Sequence, residues 1–211
     1  MSDVREVFDR WAREGRAEGM EHGHGPAARM AFERLKLRPG SRYLDIGCGN
    51  GYTVRWAALE SPQGRAVGLD LSSAMIELAW RMSADLPNVS FLTGSFPDVH
   101  LRDAPFDAIF SMEAFYYLED LDASLRRVHE LLRPGGQFAC VVDYYGENKA
   151  SHSWPEDVGV SMTLLGSDGW ADSFRRAGLG VVDQCRLRLK PDQASAEWKV
   201  SEGSLLTLGR R

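Results

Sequence analysis

Asp45 and Asp70 bracket a glycine-rich turn in which Gly47, Gly49 and Gly51 alternate with Ile46, Cys48, Asn50 and Tyr52. Glycines let a backbone turn tightly and approach a ligand closely. An aspartate at a strand end can accept two hydrogen bonds from a ribose diol, a role open to Asp70. Asp45 can receive an ammonium, directly or through water. Neither phosphate-binding pattern is met. The dinucleotide fingerprint G-x-G-x-x-G wants its third glycine where Tyr52 stands, and a P-loop needs a G-K-[ST] that this turn lacks. A ligand with a ribose, an ammonium and no phosphate therefore fits better than NAD. The plainer readings are that Asp45 caps the turn, Asp70 caps the next helix, and Cys48 is simply small.

A second set of residues could move protons. His22 and His24 lie in "GMEHGHGP", His152 in "YYGENKASHSW", and Glu113 and Tyr116 in "SMEAFYY". Imidazole accepts a proton near neutral pH without large perturbation, which favours His152, His22 and His24 as bases. An H-x-H pair with a third histidine, assisted by Asp143 or Glu147, could ligate a metal; the reading adopted is that no metal is held. Tyr116, Tyr117, Tyr144, Tyr145 and Trp154 supply rings for a pocket that suits a small planar or apolar acceptor.

These groups must be positioned by the elements around them. "RYLDIG", "RAVGLD", "NVSFLTG", "FDAIFS" and "QFACVVDYY" read as strands separated by helical segments. Met75, Leu78, Ala79 and Met82 share one helical face, with Ser72 or Ser73 as N-cap. Leu121, Leu125, Val128 and Leu132 share another, and that helix stops at Pro134-Gly135-Gly136. The β-α-β-α order implies a parallel sheet covered on both faces. Its ligand crevice lies at the carboxyl ends of the strands, so the loops after positions 46, 70, 93, 111 and 143 should converge. Residues 1–38 read as helical, broken by a loop from Gly19 to Pro26.

Composition narrows the classes. A chain of 211 residues with 44 % hydrophobic and 26 % charged residues can bury one large core. A net charge of −5 argues against a general nucleic-acid binder. No apolar run reaches membrane-span length, and "MSDVREVFDRWARE" is charged throughout, without a signal-peptide core. Three widely spaced cysteines fit a reducing cytoplasm better than a disulfide framework.

"LDIGCGNG" followed by "VGLDLS" resembles the first two motifs of class I S-adenosylmethionine-dependent methyltransferases, and "FDAIFSMEAFYYLED" and "LLRPGGQF" match the later pattern in type and order. The resemblance is to the small-molecule branch that includes ubiquinone and menaquinone biosynthesis enzymes. It implies an α/β, Rossmann-like fold with a mostly parallel seven-stranded sheet and helices on both faces. It also implies an N-terminal helical cover over residues 1–38 and a cofactor-binding domain over residues 39–211. The cofactor, S-adenosylmethionine, would have its methionine part against Gly47, Cys48 and Gly49, near Asp45 and Gly51, and its ribose on Asp70. Its adenine would lie on Leu71 and Met75, flanked by Gly94, Ser95 and Phe96, with Ser111 and Met112 beside the sulfonium. Many relatives carry an acid where this chain has Ser95. The acceptor would be a small molecule. The N-P-P-[YF] tetrapeptide used on amino groups of bases and glutamine is replaced by "SMEA". The alternatives are an NAD-dependent oxidoreductase and a non-catalytic S-adenosylmethionine-binding protein.

Overall fold

The computed structural model describes residues 3–211. Helices α1 (Val4–Arg13) and α2 (Arg16–Phe32) precede the first strand, β1 (Arg42–Ile46). There follow α3 (Tyr52–Glu60), β2 (Arg65–Asp70), α4 (Ser73–Met82), β3 (Val89–Thr93), β4 (Phe106–Met112) and α5 (Leu121–Leu131). The chain ends with β5 (Leu132–Val142), α6 (Trp154–Val158), α7 (Ser167–Arg176), β6 (Gly180–Leu187), α8 (Trp198–Ser201) and β7 (Ser204–Arg210).

The strands form one seven-stranded sheet in the order β3-β2-β1-β4-β5-β7-β6. The first five are parallel, and β7 pairs antiparallel with both β5 and β6. The mostly parallel, helix-covered sheet expected from the sequence is therefore present. Chain order reverses at β1 and β4, so the crevice opens above Ile46 and Met112. Ser111 Oγ donates to the Ile46 carbonyl at 2.7 Å and pins these two strand ends together.

The parallel strands are apolar on both faces because helices cover both. One core layer joins Phe32, Tyr43, Val54 and Ala79 beneath α2, α3 and α4; the other joins Leu44, Phe106, Leu125, Phe138 and Phe174 beneath α5 and α7. Helix starts follow capping chemistry. Ser72 Oγ accepts the Met75 amide at 3.1 Å, and Asp120 accepts that of Ala123 at 2.8 Å.

One expectation is corrected. The segment from Gly19 to Pro26 is not a loop: α2 runs through three glycines and Pro26 without a break. Local propensity disfavours this helix, but packing overrides it, since Ala27, Ala28, Ala31 and Phe32 are all buried against the sheet's helical layer. Lys199 Nζ also binds the Gly23 carbonyl at 2.8 Å. Helix α1 lies across α4, where Asp9 accepts from Ser72 Oγ at 2.5 Å. Phe8, Ala12, Ala17 and Met20 gather there around Met75.

Candidate active site

The turn after β1 is shaped by three left-handed glycines, Gly47, Gly49 and Gly51, with φ of 77°, 52° and 79°. A Cβ on Gly47 would sit 2.4 Å from that of Ala114, and one on Gly51 would sit 2.7 Å from the Phe91 ring. A Cβ on Gly49 would meet nothing within 4 Å. Two of the glycines therefore serve internal packing, and Gly49 faces open space. Asp70 holds this loop to the next: one carboxylate oxygen accepts the Gly49 amide at 2.8 Å and the other the Ser72 amide at 2.9 Å. Asp70 thus bridges two loops, which is more than the plain cap of the following helix.

Asp45 is buried at the floor. Its Oδ2 accepts the Thr53 hydroxyl, while Oδ1 has no partner. Burial outweighs the lowering Thr53 hydrogen bond and, with a smaller push from the Asp70 charge, raises the Asp45 carboxyl to about 7. A cation placed there would favour the ionised form and expel a proton. The sign follows: affinity for a ligand whose ammonium reaches Asp45 should rise with pH through about 7. Calorimetry of S-adenosylhomocysteine in two buffers of different ionisation enthalpy measures the released proton. Asp45→Asn should reduce that release; an unchanged proton count would remove Asp45 from the ligand's ammonium.

Glu21 of α2 was not singled out in the sequence, yet it completes the loop's support. It accepts from Asn50 Nδ2 at 2.7 Å, and Arg55, 3.5 Å from Glu21, donates to the Asn50 carbonyl at 2.6 Å.

Above the loop lies a cavity of about 1250 Å³. Its wall includes Asp45, Gly47, Cys48, Gly49, Asp70, Leu71, Met75, Gly94, Ser95, Phe96 and Met112, all expected at the cofactor. It also includes His24, Glu113, Tyr116, Tyr117 and Trp154 from the proton-moving and acceptor-pocket sets. Gly51 lies behind the wall. Ser111 is fully buried and spends its hydroxyl on Ile46, so it contacts β1 rather than the cavity. Tyr144 is buried with its ring 5.5 Å from that of Tyr116, and Tyr145 is buried with its hydroxyl on the Gly203 carbonyl at 2.8 Å. His152 turns toward the Gly146 carbonyl at 3.2 Å, and His22 is exposed on α2; neither joins the wall.

Phe8, Trp11 and Met20, from α1 and α2, do line it. Phe8 and Trp11 lie three apart on α1 and Met20 on α2, and nothing local reveals that they line one cavity. The Phe8 ring meets Tyr117 edge-on at 5.4 Å.

Glu113 sits at positive φ, 59°, immediately after β4. One of its oxygens accepts the Tyr116 hydroxyl at 2.7 Å, and the other accepts the Asp143 amide. Burial, then the Asp143 charge, pushes its carboxyl well up. His24, Glu113 and Asp143 each bring one nitrogen or oxygen to within 4.8 Å of the others. Burial holds the His24 imidazole below its ordinary value; Asp143 opposes this and Lys199 adds to it.

Comparison with known proteins agrees with this geometry. Residues 44–140 match the family model described as a methyltransferase domain. The demethylmenaquinone methyltransferase of Symbiobacterium thermophilum is 30 % identical over 145 residues, covering 65 % of this chain and 58 % of its own. The trans-aconitate 2-methyltransferase of Deinococcus radiodurans is 36 % identical over 115 residues, covering 54 % of this chain and 42 % of its own. The chain thus spans about half the length of these curated relatives. A chain from the complex between the Haloferax volcanii Trm112 methyltransferase activator and a candidate methyltransferase superposes over 100 % of this chain and 98 % of its own, with a TM-score of 0.87 and 33 % identity. Taken with the strand order, the glycine turn and the paired aspartates, this places the chain in the class I S-adenosylmethionine-dependent methyltransferase family.

Proposed function

We propose that the chain transfers a methyl group from S-adenosylmethionine to a small-molecule acceptor. The observation that carries the reading is the joining, in one cavity, of the Asp45–Gly49–Asp70 floor to an aromatic wall that ends at His24 and Glu113. The floor suits the cofactor. Gly49 leaves open space for a close approach, and Asp45 offers an unpartnered buried oxygen to an ammonium. Asp70 would take the ribose hydroxyls, and Leu71 and Met75 would flank the adenine.

When bound, S-adenosylmethionine supplies a methyl carbon on a cationic sulfur, which attack by an acceptor lone pair releases with the bonding electrons left on sulfur. The protein must orient the acceptor and exclude water; orientation contributes about 7–11 kcal/mol in favourable cases. Helices α1 and α2 would serve as the cover, a reading supported by Phe8, Trp11 and Met20 on the cavity wall. Of the candidate bases, His24 is the one imidazole on the cavity wall, and burial keeps its lone pair free near neutral pH. Tyr116 and Glu113 hold the acceptor beside it.

No helix among the described residues is long and apolar enough to cross a membrane. A cytoplasmic location remains our reading, supported by three free thiols.

Calorimetry with S-adenosylhomocysteine and with NAD tests the class. We expect binding of the first and none of the second, because the buried Tyr52 ring packs on Trp56 at 5.1 Å where a third glycine would be needed. Transfer is then assayed on a metabolite panel, with and without a Trm112 protein, since one structural relative is seen with that activator. Cofactor binding without transfer in either assay would favour the non-catalytic alternative. His24→Ala should leave cofactor affinity unchanged and lower kcat by about 10²–10⁴-fold. An unchanged kcat would exclude His24 as the base.

A further inference from the structure

This inference rests on the methyl-transfer reading and adds the chemical class of the acceptor. A pair of carboxylates, one on the cavity wall and one buried behind it, meets beside His24. Asp143 is 0 % exposed; its Oδ1 has no partner and its Oδ2 lies 3.4 Å from Lys199 Nζ. Glu113 carries the second carboxylate within 4.8 Å and is the one of the pair that lines the cavity. Lys199 is itself buried and divides its ammonium between Asp143 and the Gly23 carbonyl. One buried ammonium therefore serves two carboxylates. Buried charges are costly unless paired, so the cluster has room for one more positive charge.

The basic side chains on the cavity wall besides His24 are Arg10 and Arg16, on α1 and at the start of α2, and the Arg16 guanidinium stacks over the Trp11 ring at 4.4 Å. A carboxylate or phosphate placed beside Glu113 would add a like charge next to the Glu113–Asp143 pair. A neutral acceptor would leave the carboxylate pair as it is. Burial and the Asp143 charge push the Glu113 carboxyl up, and a cation entering beside it would favour its ionised form. The rings of Tyr116 and Tyr117, with centroids 4.5 Å apart, provide faces that attract a cation.

We propose that the acceptor is an amine, bound as its ammonium between the Glu113 carboxylate and the tyrosine faces. His24 then takes one proton, so the ammonium becomes a neutral amine with a free lone pair and the imidazole becomes an imidazolium. Asp143 and Glu113, within 4.8 Å, stabilise that imidazolium.

Three probes with one ring and different charge test this: tyramine, 4-ethylphenol and 4-hydroxyphenylacetate. Each is titrated calorimetrically into protein saturated with S-adenosylhomocysteine, in EDTA. Tyramine should bind at least about ten-fold more tightly than either other probe, the scale of a hydrogen-bonded charge. Glu113→Gln should bring tyramine down to the level of 4-ethylphenol, and Asp143→Asn serves the same purpose if the first variant does not fold. Equal or tighter binding of the neutral or anionic probe overturns the proposal. So does a tyramine preference that survives these substitutions, or no probe binding to the loaded protein. Failure of S-adenosylhomocysteine to bind at all is seen in the preceding titration and strikes the methyl-transfer reading instead.

Discussion

Asp70→Ala is expected to weaken S-adenosylhomocysteine binding by at least about 1–3 kcal/mol, the cost of leaving desolvated hydrogen-bonding groups without a partner. Two effects add. The substitution removes the acceptor proposed for the ribose hydroxyls, and it also frees the amides of Gly49 and Ser72, which the same carboxylate holds at 2.8 and 2.9 Å. The glycine turn would then lose its tie to the β2–α4 loop. Asp70→Asn separates the two contributions, since its one carbonyl oxygen can keep a single amide. Affinity measured by calorimetry should fall for both, more for alanine. Wild-type affinity in a folded Asp70→Ala protein would remove Asp70 from the ligand site.

Gly47→Ala is expected to be the most damaging single methyl in the loop. Its φ of 77° lies in the left-handed region, where an L side chain costs about 1–2 kcal/mol. The added Cβ would also lie 2.4 Å from the Ala114 Cβ, and overpacking of that kind costs about 1–3 kcal/mol. In a chain of 211 residues each kcal/mol lowers Tm by about 2–4 °C. Ala114→Gly in the same protein should recover the second part and leave the first. Gly49→Ala is the contrast: its φ of 52° carries the backbone cost, but its Cβ meets no protein atom within 4 Å. It should melt closer to wild type yet lose ligand affinity, because it fills the open space proposed for the close approach of the ligand. A Gly49→Ala protein that binds normally would show that the ligand lies elsewhere.

Several features of the site were legible because they are local. Asp45, the three glycines and Asp70 sit within two β-α units, where strand length and turn chemistry alone set the geometry. The same holds for Ser72 as a helix cap, whose partner lies three residues away. The α2 helix was misread for the opposite reason. Three glycines and Pro26 are locally unfavourable, and the compensation comes from Ala27, Ala28, Ala31 and Phe32 packing on distant residues. His152 drew notice as a histidine in a polar loop near strand β5, but a backbone carbonyl six residues away holds its ring outside the cavity wall.

By itself the sequence determined the alternating fold, the glycine turn with its two acids, and the position of the crevice at the strand ends. All three follow from periodicity and short-range stereochemistry. Only the tertiary structure decided which residues would meet in that crevice. His24 and Lys199 come from opposite ends of the chain and Glu113 and Asp143 from its middle; they become neighbours as β7 inserts between β5 and β6 and α2 packs on the sheet. Charges so far apart in sequence carry no local signal of pairing. Their interaction depends on a separation and a burial that exist only once the core has formed.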